Sequence, residues 1–251
     1  MAKHSIGIDI GGTGIKGALV NLKTGTLVGE RVRHETPEGA RPNDVAEVVR
    51  KLIAELPRSS FASVGICFPA IVKHGVTLSA ANVSDEWIGL DAAQLFSDIL
   101  RHHVHLLNDA DAAGVAEIKY GAGRKVNGTV IMTTLGTGIG TAIFTNGELL
   151  PNCELGHLEI EGVDYESKAA FSAKEREELS FDDWAKRLQK YYSTLDRLFS
   201  PDLFIVGGGV SKQHELFLPQ LKLNAPIVPA TKRNNAGILG AAALAYRSQK
   251  D

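Results

Sequence analysis

One glycine-rich pattern occurs twice in the chain. DIGGTGIKGALV, starting at Asp9, and TLGTGIGTAIF, starting at Thr134, coincide at Gly12/Gly136, Thr13/Thr137, Gly14/Gly138, Ile15/Ile139 and Ala18/Ala142 when one is shifted by 124 residues. The shift is about half of the 251 residues, and each copy reads as strand, glycine turn, strand, turn, strand. A repeat at half the chain length implies two related lobes. The expected division is 1–108 for the first lobe and 109–251 for the second, with the C-terminal helix packing back on the first. The fold class is α/β.

The remaining pattern fits two such lobes. Asn43 is a candidate cap for the helix NDVAEVVRKLIAEL, whose Val45, Val48, Leu52 and Leu56 keep helical spacing until Pro57. Strand SVGICFP and helix DAAQLFSDIL follow, and strand HVHLLND delivers Asn108 and Asp109 to the small-residue helix ADAAGVAEIKYG. A charged stretch between Glu154 and Ser200 reads as helices with an apolar face of Phe181, Trp184, Leu188, Tyr192, Leu195 and Leu198. Strand DLFIVGGGVS ends in a triple glycine before Ser211, a candidate helix cap, and AGILGAAALAYR closes the chain as a tightly packing helix.

Composition removes several classes of function. A net charge of −2 argues against nucleic-acid binding through overall charge, so any polyanion site must be local. The two cysteines, Cys67 and Cys153, allow neither a disulfide framework nor a four-cysteine zinc site, which fits a reducing cytoplasm. No apolar run is long enough for a signal peptide or a membrane span. Only Met1–Ser5 precede the first strand, so no DNA-binding helix-turn-helix is expected there.

The first glycine turn formally matches G-x-G-x-x-G over Gly12–Gly17, but the dinucleotide fingerprint needs a helix directly after the glycines. Here the β-branched run IKGALVNL continues as strand. A Walker A loop fails as well, because Lys16 precedes Gly17 where that loop requires Lys-Ser/Thr. Glycines allow backbone N–H groups to approach a ligand and to form a nest for phosphate oxygens. Gly11, Gly12, Thr13, Lys16, Thr137 and Gly138 are therefore candidate phosphate ligands, and the two hairpins are expected to face each other. Asp9, a carboxylate in the strand before the turn, is placed to hold Mg²⁺ through its water shell. The plainer alternative is a pair of tight hairpins with Asp9 bonded to neighbouring backbone.

Asp109 stands where a strand end meets a helix start. That position suits a general base, and on local pattern it suits a helix N-cap equally well. Glu154 and His157 in ELGHLEIE are three residues apart, close enough to bond adjacent hydroxyls of one ligand.

Together, DIGGTGIKGALV, LLNDADAAG, TLGTGIGTAIF, ELGHLEIE and IVGGGVS resemble the phosphate, catalytic, sugar and nucleotide motifs of the ROK family of sugar kinases. Within that family the GGTGIKG opening and ELGHLEIEGVDYE are most similar to the polyphosphate glucokinases. The resemblance implies an actin-like, hexokinase-type fold, Mg²⁺, a homodimer, and phosphoryl transfer from polyphosphate or ATP to the 6-hydroxyl of glucose. By the same resemblance Asp109 is the base, and Asn108, Glu154 and His157 bind the sugar. Glu166 is the third sugar carboxylate with Glu159 as its rival, Asn82 lies near the sugar, and Gly207 and Gly208 contact the donor.

Many members carry a cysteine-rich zinc loop after Gly-His; this chain runs GHLEIEGVDYESKAAFSAKE without a cysteine, so no zinc is expected. The rival readings are an ATP-dependent hexokinase of the same family, a non-catalytic sugar-sensing regulator, and an NAD enzyme resting on G-x-G-x-x-G alone. A polyphosphate donor would need a basic track, for which Lys16, Arg124, Lys125, Lys212, Lys232 and Arg233 are the candidates.

Overall fold

Alternating apolar residues make β1 (His4–Gly11) a strand with Ile6, Ile8 and Ile10 buried, and the turn at Gly12–Thr13 returns it as β2 (Gly14–Asn21). These are the opening elements of a computed structural model that describes residues 4–57, 61, 63–80 and 82–248. Met1–Lys3, within the lead-in on which the missing DNA-binding segment was argued, lie outside the described residues. The hairpin register sets Asp9 opposite Lys16 and Gly11 opposite Gly14. A third antiparallel strand, β3 (Thr26–His34), pairs with β2 and brings Arg33 opposite Lys16.

Helix α1 (Pro42–Glu55) buries Val45, Ala46, Val49 and Leu52. Its N-cap is the extended Arg41 rather than the expected Asn43, because Pro42 takes the first helical position, where its fixed φ fits and its missing N–H costs nothing. Strand β4 (Val64–Phe68) is buried throughout and is followed by the small hairpin β5 (Val72–Lys73) and β6 (Val76–Thr77). Asp91 caps α2 (Ala92–Leu100) by accepting the Gln94 N–H at 2.9 Å. Strand β7 (Val104–Asn108) then runs directly into α3 (Asp109–Tyr120). The sheet order is β3-β2-β1-β4-β7, antiparallel across the first three strands and parallel across the last pairings. Its core centres on Trp87, which packs on Phe68 and Phe96 and donates its indole N–H to Ala40 O at 2.8 Å.

The second half repeats the plan. Strands β8 (Thr129–Leu135), β9 (Ile139–Thr145) and β10 (Glu148–Leu150) form the meander around the second glycine turn. The short hairpin β11 (Glu159–Ile160) and β12 (Val163–Asp164) leads to α4 (Glu166–Ala169), α5 (Phe171–Arg176) and α6 (Phe181–Phe199). Strands β13 (Leu203–Gly207) and β14 (Ile227–Pro229) complete a sheet of order β10-β9-β8-β13-β14, the same arrangement as in the first half. Its core gathers Trp184, Tyr191, Tyr192, Phe204 and Phe217. The polar tips there are satisfied: Trp184 donates to Ala169 O at 3.0 Å and Tyr191 to Leu155 O at 3.1 Å. The apolar face of α6 differs at its end from the sequence reading. Tyr191 is buried and Leu198 is 56% exposed, since the helix stops at Ser200 in a left-handed turn.

The last helix, α7 (Ala236–Ser248), lies on the first sheet. Gly7 and Gly65 face the backbone of Ile238 and Ala241, and Gly240 faces the Ala112 carbonyl, so a Cβ at any of the three would meet a carbonyl oxygen. By contacts the chain divides into a unit of Met1–Ala116 with Asn234–Asp251 and a unit of Glu117–Arg233. The division falls inside α3 rather than at 108/109.

Candidate active site

At the junction of β7 and α3 both Asn108 and Asp109 meet the first N–H groups of the helix. Asn108 supplies the cap: its Oδ1 accepts the N–H of Ala110 at 2.8 Å and of Asp111 at 3.2 Å, and its Nδ2 donates to Ala70 O at 3.1 Å. A carboxamide has two acceptor and two donor positions, so these contacts leave Asn108 one N–H for a ligand. Asp109 is exposed at the head of the helix, with Oδ1 2.8 Å from Ala110 N.

Around the first glycine turn, Gly12 and Thr13 are exposed. The turn's carbonyls are held from outside: Thr36 Oγ1 donates to Gly11 O at 2.5 Å and Arg33 Nη2 to Thr13 O at 3.1 Å. Asn82, expected near the sugar, stands with φ +60° against Gly12, where an added Cβ would lie 3.0 Å from Asn82 Cβ. Gly12, Thr36, Glu38, Gly39, Asn82 and Ser84 line a pocket of about 380 Å³ beside the turn.

Asp9 is 3.6 Å from Lys16 Nζ and accepts the Cys67 thiol at 3.5 Å. Burial, then the nearby Asp9 and Asp109 carboxylates, push that thiol well above its ordinary pKa, so Cys67 stays a neutral donor. The Asp9 oxygens keep acceptor capacity, which fits a hydrated Mg²⁺ shared with substrate phosphates. Among the described residues no three His, Cys, Asp or Glu side chains are grouped to hold a metal directly.

In the second unit a short 3₁₀ turn, Leu155–His157, sets Glu154 and His157 on one segment. Burial raises Glu154 above the usual carboxylate value, with His157 opposing and Glu166 adding to the rise. His157 is raised chiefly by Asp164, whose Oδ2 lies 2.8 Å from His157 Nδ1, and further by the charges of Glu166, Asp164 and Glu154. Glu166 therefore shares one electrostatic cluster with Glu154 and His157. Glu159 is exposed on β11 and perturbs neither.

Glu166 also touches the second glycine turn. Its Oε2 accepts the Ile139 N–H at 2.7 Å, and a Cβ at Gly138 would sit 2.5 Å from that oxygen. The side chain at 138 is thus excluded by Glu166. Thr137 is exposed and Gly136 borders open space.

The triple glycine has mixed reasons. Gly207 is buried against Met132, and Gly208 has φ +83° and lies against the Leu135 backbone, whereas Gly209 is exposed with open space where a Cβ would be. Ser211, expected to cap a helix, lies inside a 3₁₀ helix and donates back to Gly208 O at 2.8 Å. Of the basic candidates, Arg124, Lys125, Lys212 and Arg233 are exposed and Lys232 is half-buried. The segment carrying Lys232 is pinned by the buried Glu117, which accepts the N–H of Thr231 at 2.8 Å and of Lys232 at 2.5 Å, the Thr231 hydroxyl at 3.0 Å and the Ala122 N–H at 2.8 Å.

Residues 5–170 match the model of the ROK family. The chain belongs to the ROK family. It is 43% identical over 241 residues to a polyphosphate glucokinase of Mycobacterium tuberculosis (strain CDC 1551 / Oshkosh), a match spanning 96% of this chain and 90% of that protein. The crystal structure of an inorganic polyphosphate/ATP-glucomannokinase from Arthrobacter sp. strain KM is 52% identical with a TM-score of 0.90, covering 98% of this chain and 99% of the other. A ROK family glucokinase from Streptomyces griseus, solved with glucose and AMPPNP, shares the fold at 24% identity and a TM-score of 0.83 over 97% of this chain and 99% of the other. The fold is the actin-like, hexokinase-type one of the ROK sugar kinases.

Sequence reasoning passed over Arg33, Thr36, Asp164 and Ser172. Each acts on a glycine turn or on His157 from a distant or newly paired segment, and each contact exists only once the chain is folded. Asp164 alone had a local signal, seven residues after His157 on the facing strand of a hairpin.

Proposed function

We propose that this ROK protein transfers the terminal phosphoryl group of inorganic polyphosphate, and of ATP, to the 6-hydroxyl of glucose. The observation that carries the reading is the near-full-length similarity, at 43% and 52% identity, to a polyphosphate glucokinase and a polyphosphate/ATP-glucomannokinase. The geometry within each unit is compatible with it. Asp109, exposed at the head of α3, takes the proton of the attacking hydroxyl. The remaining Asn108 N–H orients the acceptor, and Glu154, His157 and Glu166 bond the other ring hydroxyls.

Gly11, Gly12, Thr13 and Lys16 from the first turn and Thr137 and Gly138 from the second hold donor phosphates, Gly207 and Gly208 also contact the donor, and Asn82 flanks the first turn. Asp9 holds Mg²⁺ through water, and the ion supplies charge neutralisation at the phosphates when bound. The homodimer, the cytoplasmic location and the lack of zinc carry over from the family resemblance and the missing cysteines. Among the described residues no helix is long and apolar enough to cross a membrane.

The test is glucose 6-phosphate formation with polyphosphate or ATP as sole donor and a panel of hexoses including mannose. Turnover with ATP alone reassigns the chain to the ATP-dependent hexokinases, and no turnover with either donor removes the kinase reading.

A further inference from the structure

The peptide groups of the second glycine turn can be accounted for almost one by one. The Gly136 N–H donates to Gly138 O at 3.0 Å. The Gly136 carbonyl accepts the Ser172 N–H at 3.0 Å, and the Thr137 carbonyl accepts the Ser172 hydroxyl at 2.6 Å. The Ile139 N–H goes to Glu166. Among the described residues no partner meets the N–H groups of Thr137 and Gly138.

Their direction follows from the same contacts. All described peptide bonds are trans, and in a trans peptide the C=O and the next N–H point to opposite sides. The 136–137 peptide turns its carbonyl to Ser172, so the Thr137 N–H points away from Ser172. The 137–138 peptide does the same, so the Gly138 N–H points away too. Two successive amides on one side of a turn form an anion nest, and the exposed Thr137 brings a hydroxyl to it.

We propose that Ser172 is a positioning residue for the phosphoryl donor, holding both carbonyls of the second glycine turn so that the Thr137 and Gly138 amides face a phosphate group. The proposal rests on the kinase reading for its identification of the ligand as the donor. Ser172 itself touches no substrate. Its two contacts act on different peptides, its own N–H on the first and its hydroxyl on the second, which gives a directional signature.

Removing only the hydroxyl releases the 137–138 peptide and keeps the 136–137 peptide in place. Ser172→Ala should therefore raise KM for polyphosphate and for ATP about three- to tenfold, the usual effect of one lost hydrogen bond, and leave KM for glucose unchanged. Ser172→Thr, which keeps the hydroxyl, should restore both donor values.

The decisive measurement is an NMR titration of the amide resonances with inorganic tripolyphosphate. In the unaltered protein both the Thr137 and Gly138 amides should shift saturably. In Ser172→Ala the Gly138 response should collapse while the Thr137 response persists, and Ser172→Thr should recover it. Unshifted Thr137 and Gly138 amides in an active enzyme would overturn the proposal and leave the kinase standing. Equal loss at both amides, or a matching rise in KM for glucose, would reduce Ser172 to a general structural residue. Saturable, hydroxyl-dependent shifts in a protein that phosphorylates no sugar would keep the nest and sink the kinase.

Discussion

Asn108 Oδ1 accepts the N–H groups of Ala110 and Asp111 at the start of α3, and the exposed Asp109 beside it accepts the Ala110 N–H as well. Both side chains can accept an N–H at the start of the helix, but only the carboxylate can serve as a base. The amide contact with Asp111 holds the helix start at any pH, since an amide does not titrate.

Asp109→Asn should retain sugar binding and lose turnover by about 10²-fold or more, because the amide keeps shape and hydrogen bonding but cannot take the proton. Calorimetric binding of glucose beside kcat separates the two effects. Near-normal kcat in a folded variant removes Asp109 from the base role. Asn108→Ala should instead cost about 1 kcal/mol of stability through the lost cap, read as a lower denaturation midpoint.

His157 is predicted to titrate above the ordinary imidazole value of about 6.5, chiefly through Asp164. Because its folded value is raised, the stabilisation from this contact is fully present below about pH 6.5 and is lost as pH climbs through the folded value. Asp164→Asn should bring the ring titration back down toward the ordinary value, and the limb of kcat/KM for glucose that follows His157 should shift the same way. NMR of the ring protons against pH checks the first part. An unmoved titration excludes Asp164 as the cause.

Replacing Lys232 and Arg233 by Glu should impair use of long-chain polyphosphate more than use of ATP, and added salt should mimic the change by screening. The pinning of this segment by Glu117 gives the two cations a fixed base from which to act. Equal losses with both donors remove them from a polyphosphate track.

Metal analysis of the purified protein should find no stoichiometric zinc, since a structural site needs four ligands and the His157 segment brings no cysteine. One zinc per chain, with activity lost to a chelator and restored by zinc alone, would contradict this.

Much of the architecture was legible because it is written in short-range pattern. The duplicated Gly/Thr turn announced two sheets of identical order, and the strand end at Asn108–Asp109 marked the start of a helix. What failed was decided by competition at element ends. Pro42 displaced Asn43 from the cap, and the left-handed stop at Ser200 left Leu198 exposed. The residues that hold the site were hardest to foresee. Ser172 reaches the Thr137 carbonyl across 35 positions and Arg33 reaches Thr13 across 20, and no periodicity encodes such a pairing. The approach of the Glu166 carboxylate to Gly138 was likewise invisible in sequence, although Glu166 was preferred there over Glu159 as a sugar ligand.

The glycine-paved seat of α7 on the first sheet has a bearing on how the protein is born. Gly7 and Gly65 emerge from the ribosome early, but Ile238 and Ala241, against which they lie, follow only after the whole of the second unit has been made. Until then the contacts of Gly7 and Gly65 with Ile238 and Ala241 cannot form. The first unit is thus completed only after the second has been translated, although its strands are made first. A fragment of residues 1–116 should be cleaved rapidly by protease where the full chain resists, and adding residues 234–251 as a separate peptide should slow that cleavage.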